Sequence, residues 1–132
     1  MSTQARLPAT LPTPAQARSA LRMAKSGLKE KANVADGMKD RCDAAKDEEK
    51  AALAELEEAE ADFLAADDGS KEEADAEKRQ RKAWKRALRA RLDLDKVAAT
   101  LKLAKKEVKA AAGFVRAARE DLDAIAEGRR EP

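Results

Sequence analysis

The residue types able to do chemistry cluster in one place. Lys78, Arg79, Arg81, Lys82, Lys85, Arg86, Arg89 and Arg91 surround Trp84, with no acid between Glu77 and Asp93. A cationic stretch with an aromatic inside it suits phosphate groups, so one reading is a nucleic-acid contact through the outward Lys78, Arg81, Lys82, Lys85 and Arg89. The other reading is charge complementarity: the acidic run Glu48–Asp62 is placed to lie beside the basic run Lys78–Arg91. A basic helix with Leu and Trp also suits a membrane surface, but a second helix covers the apolar face that such binding needs.

Other chemistry is thin. Cys42 is the sole cysteine and the chain has no His, so a thiol nucleophile lacks its usual base and an internal disulfide is excluded. Asp36/Asp40 and Asp43/Asp47 stand one helical turn apart, but no calcium-loop pattern accompanies them. Glycine-rich phosphate loops and G-x-S-x-G elbows are missing. The expectation is a non-enzymatic protein with no cofactor, no metal and no small-molecule substrate.

The elements that position these residues follow from a seven-residue repeat. In the first half, position a holds Leu21, Leu28, Ala35, Cys42, Glu49, Leu56 and Phe63, and d holds Ala24, Lys31, Met38, Ala45, Ala52 and Ala59. In the second half, a holds Gln80, Ala87, Leu94, Leu101, Val108, Val115 and Leu122. There d holds Ala76, Ala83, Ala90, Val97, Ala104, Ala111, Ala118 and Ile125. Such a repeat predicts helices that wind around one another. Charged residues at 41% with aromatics at 2% fit long helices rather than a compact core, and the sustained period argues against a disordered chain.

Boundaries are legible. Residues 1–13 are an extended arm, because Pro8, Pro12 and Pro14 interrupt a helix; Leu7 and Leu11 are its apolar points. Thr13, Pro14 and Gln16 form a capping box with proline at the first helical position, so helix 1 is expected over 14–66. Asp67-Asp68-Gly69-Ser70 is the turn, at 67–70, and Ser70 with Glu73 caps helix 2, expected over 71–127. Gly128 is placed as a C-cap, with a flexible tail at 128–132. The expected fold class is all-α: a long antiparallel helical hairpin, a two-helix coiled coil with an Ala-rich seam, extended N-terminal arm and a tendency to oligomerise. Its arms are about 75–85 Å long at about 1.5 Å per residue.

Folding about Gly69/Ser70 pairs residues whose numbers sum to 139, so large seam residues mostly face Ala. Leu21 meets Ala118, Leu28 meets Ala111 and Leu56 meets Ala83. On the g edge Glu55 meets Arg86, Asp62 meets Arg79, and Gly27 meets Phe114 as small against large. Lys31 and Glu49 are the polar seam residues, expected to reach out toward solvent.

Apolar residues off the seam point to partners. Leu53 and Trp84 fall on the e edge, with Leu88 and Leu92 at outward b and f. The same edge would place Lys46 beside Arg91 and Glu60 beside Glu77, like charges that a further helix would explain. Leu53, Trp84, Leu88 and Leu92, with Leu7 and Leu11 of the arm, are therefore the expected protein-interaction residues. The leading functional reading is a structural or assembly protein, acting with itself or with other proteins of a larger particle, such as a small phage or virus accessory or scaffold component. A nucleic-acid-binding module using the basic face is the alternative, and an inhibitor or adaptor docking a single partner is the third. No apolar run reaches the roughly 18–20 residues of a membrane span. No signal-peptide core is present, and the acid-free first 29 residues already contain the start of the heptad, which argues against a transit peptide. The expected location is cytoplasmic or within a virus particle.

Overall fold

The computed structural model describes residues 12–130. The arm residues Leu7 and Leu11, and Glu131 and Pro132 of the tail, lie outside the described residues. Two helices make up the described chain, α1 (Pro14–Ala65) and α2 (Lys71–Arg130), with no strand. The protein is all-α, and its two helices pack against each other.

α1 starts where its cap dictates. The Gln16 N–H donates to Thr13 Oγ1 at 3.1 Å and the Thr13 N–H donates to Gln16 Oε1 at 3.0 Å, satisfying two donors that a helix start leaves open. Pro12 and Ala17 occupy the two positions of a hydrophobic staple; Pro12 is half-buried and Ala17 is 2% exposed. The turn is held by a Ser70 N–H to Asp67 carbonyl bond of 3.1 Å and by Ser70 Oγ donating to the same carbonyl at 2.6 Å. Ser70 also caps α2, accepting the Glu73 N–H at 3.1 Å. The Glu73 carboxylate takes the Gly69 N–H at 3.3 Å rather than that of Ser70, because the Ser70 N–H is already committed to the turn.

Gly69 has φ +77°, in the left-handed region that costs other residues about 1–2 kcal/mol. Gly69→Val is accordingly expected to lower unfolding free energy by about 1–2 kcal/mol. Gly128→Ala, at a helical glycine, is expected to cost nothing. Urea unfolding followed by circular dichroism checks both; equal midpoints for Gly69→Val and the parent chain would refute the first.

α2 does not stop at Glu127. It continues through Gly128 to Arg130, and Gly69 is the sole positive-φ glycine among the described residues. Glycine permits a left-handed cap without requiring one, and here the helical hydrogen bonds continue.

The chain packs as two units. One contains Asp36–Leu103 and so includes the turn; the other combines the residues through Ala35 with those from Ala104 onward. In both, seam positions are buried or half-buried and almost everything between them is exposed. Lys31 is the seam residue that remains exposed. In the turn unit, Ala52, Ala87 and Ala90 form the buried cluster, with Leu56 packed on it. Ala52 and Ala76 are 0% exposed, so small side chains let the two backbones come close there. The buried set is dominated by Ala, and among the described residues no large side chain is fully buried. Among the described residues, no helix is long and apolar enough to cross a membrane.

Candidate protein-interaction face

The turn unit carries the four apolar residues singled out on the e edge and beside it. Leu53 is 49% exposed, Trp84 55%, Leu88 45% and Leu92 59%. All four are large side chains that the two helices leave about half in water. They sit outward because a seam two helices wide covers only positions a and d. Leu53, Leu56, Trp84 and Leu88 line one pocket of about 360 Å³, closed at its rim by Glu49 and Arg91. Trp84 and Leu56 also line a second, of about 320 Å³, with Glu60, Gln80, Arg81 and Lys85. The Trp84 indole is thus shared by two concavities, an arrangement that lets a partner side chain seat on either side of a large rigid anchor.

The charges around this face are more settled than the heptad alone implies. Arg91 does not stand against Lys46 without relief. It reaches Glu49 at 3.3 Å and Asp95 at 3.5 Å. Glu77 is taken by Arg81 at 2.6 Å, four residues on, which offsets its repulsion with Glu60. Long side chains can swing to the nearest opposite charge within a turn, and edge pairing by position misses this freedom. These like charges therefore need no third helix to relieve them, and the exposed apolar area is what marks this face for a partner.

Both charged seam residues find partners. Glu49, with its side chain 17% exposed, meets Arg91, and Lys31 reaches Glu107 at 3.3 Å with its side chain 48% exposed. On the g edge, Arg79 approaches Asp62 at 4.0 Å, and Arg86 bridges Glu55 and Glu48, the latter at 3.2 Å. One guanidinium thus spans two carboxylates a heptad apart. The hydrogen bond to Glu48 first, and the charge of Glu55 next, raise the Arg86 pKa above its ordinary value.

The basic face divides accordingly. Arg79, Arg81, Arg86 and Arg91 are engaged with carboxylates. Arg81 was placed among the free outward cations, and its pair with Glu77 removes it from that group. Lys78, Lys82, Lys85 and Arg89 are exposed and belong to no ion pair among the described residues. Their spacing of four, three and four residues sets them in one stripe along α2, about 16 Å long at 1.5 Å per residue.

The sequence reading missed a second apolar surface, in the other unit. Met23 is 72% exposed and Phe114 70%, and they flank a groove of about 650 Å³. Its floor includes Ala20, Ala24 and Gly27 of α1 with Ala110, Ala111 and Ala117 of α2, and Lys31, Glu107 and Asp121 stand at its edge. Gly27 does not pack against Phe114: a Cβ built on Gly27 would meet nothing within 4 Å. Phe114 lies in solvent because the seam beneath it is already filled by Val115 and Ala118. The signal was present in the coincidence of Ala or Gly at g of α1 and c of α2 with bulky Met23 and Phe114 beside them. Reading the seam pair by pair does not sum it. Comparisons with protein-family models, with curated proteins and with solved structures return no match for this chain.

Proposed function

We propose that this is a non-enzymatic structural or assembly protein. Its helices form an Ala-seamed coiled coil, and it acts by docking onto further copies of itself within a larger multi-protein particle, in the manner of a small virion accessory or scaffold component. The observation that carries the reading is the face made by Leu53, Trp84, Leu88 and Leu92, each about half exposed, with Leu53, Trp84 and Leu88 lining a concavity and Trp84 a second one. Apolar area of this kind, rimmed by charge, is the usual mark of an interaction surface. A seam built of Ala supplies little burial per residue, so association also supports the fold.

A second reading rests on the stripe Lys78, Lys82, Lys85 and Arg89, which the acids of α1 do not neutralise. It makes the protein a nucleic-acid-binding module whose affinity falls steeply with salt. Light scattering after size exclusion, at about 50 mM and 500 mM salt and with a short DNA duplex, separates the two. The assembly reading predicts an oligomer whose mass ignores salt and DNA. A monomer that joins the duplex only at low salt would replace it with the second reading.

A further inference from the structure

The groove between Met23 and Phe114 belongs to neither reading, and we propose that it receives the first eleven residues of the same chain, folded back along α1 with Leu7 in the groove. Three observations lead there. The entry to α1 is set locally: the half-buried Pro12 and the buried Ala17 occupy the staple positions, a pairing that fixes the angle at which a chain enters its helix. Ala17 continues into Ala20, Ala24 and Gly27 at helical spacing, so the staple runs directly into the groove floor.

Reach also fits. The groove spans α1 from Ala20 to Lys31, about 10 to 27 Å from Thr13 along the axis at 1.5 Å per residue. Leu7 lies six residues before Thr13 and reaches about 20 Å when extended. Pro8 and Pro12 favour that extended form, which lessens the entropy lost on seating. Charge agrees as well. The segment has Arg6 and no acid, and the groove edge offers Asp121, with Glu107 already paired to Lys31. The Ala and Gly floor lets an extended backbone approach closely, while Met23 and Phe114 supply the apolar walls for Leu7.

The test uses the full chain with Cys42→Ser, so that no native thiol competes. Ala5→Cys with Gly27→Cys places one thiol on the segment and one in the groove, where a side chain at Gly27 meets no atom. Ala5→Cys with Lys29→Cys places the second thiol at nearly the same height on the opposite, exposed face. Both are oxidised by glutathione disulfide at a dilution where the chain is monomeric, so the result does not depend on self-association. The expected result is a disulfide within one chain that closes at least about tenfold faster in the groove pair, a preference that Leu7→Asp removes. Equal closure rates for the two pairs would overturn the proposal, because a segment that seats nowhere visits both faces alike. Disulfide-linked dimers from the groove pair would overturn it in favour of a second copy's segment in the groove.

Discussion

On the assembly reading, a chain carrying Leu88→Glu and Leu92→Glu is expected to run as a monomer at concentrations where that reading makes the parent chain an oligomer. Both residues are exposed on α2 of the turn unit, at 45% and 59%, beside Trp84 and Leu53. Fully burying a Leu is worth about 1.5–3 kcal/mol, so covering these half-exposed side chains contributes about 1 kcal/mol each. In a symmetric contact the effect is counted in both copies, and a carboxylate forced into the interface adds its own desolvation cost. Association should weaken by at least about 100-fold, since each 1.4 kcal/mol is a factor of ten. The monomer should stay helical, because neither side chain is in the seam and Glu is as good a helix former as Leu, and its stability should fall only by what association contributed. Replacing Lys78, Lys82, Lys85 and Arg89 by Gln should leave the oligomer intact and abolish any duplex binding. Unchanged mass for the Leu88→Glu, Leu92→Glu chain would remove this face from the assembly reading.

Ala52→Leu is expected to lower the unfolding free energy by about 1–3 kcal/mol, the usual cost of overpacking. Ala52 is 0% exposed and packs in the cluster with Ala87 and Ala90 against Leu56. No rotamer of Leu fits there unless the two helices separate, and separation loses contacts along the neighbouring turns. For a chain of this size the midpoint of thermal unfolding should fall by about 3–15 °C. Ala54→Leu, two residues away on the exposed face, adds the same atoms and should move stability by less than about 0.5 kcal/mol. Leu56→Ala in the Ala52→Leu background should recover part of the loss, because the two positions share one space. Urea and thermal unfolding by circular dichroism measure all three. Equal losses for Ala52→Leu and Ala54→Leu would mean that the close approach at Ala52 does not hold the helices together.

The sequence by itself determined the helical class, the helix starts and the set of inward residues. A cap such as Thr13/Gln16 is a local hydrogen-bond pattern, and a seam recurring every three or four residues is a consequence of helical periodicity. Neither needs knowledge of distant chain. The g-edge pairs Glu55/Arg86 and Asp62/Arg79 were legible for the same reason, since a single fold-back register fixes who faces whom.

Tertiary structure decided what happens at the edges. Arg91 turning to Glu49, Glu77 taking Arg81, and Arg86 spanning Glu48 and Glu55 are choices among several carboxylates within reach of a long side chain. Position in a repeat cannot rank such choices, because carboxylates one turn away on the same helix, as for Arg81, compete with those across the seam, as for Arg86 and Arg91. The groove at Met23, Gly27 and Phe114 has the same origin. It is an empty space bounded by two helices, and a sequence records the residues that bound a space but not the distance between them. The end of α2 is the converse case, where Gly128 allowed a stop and the helix ran on to Arg130.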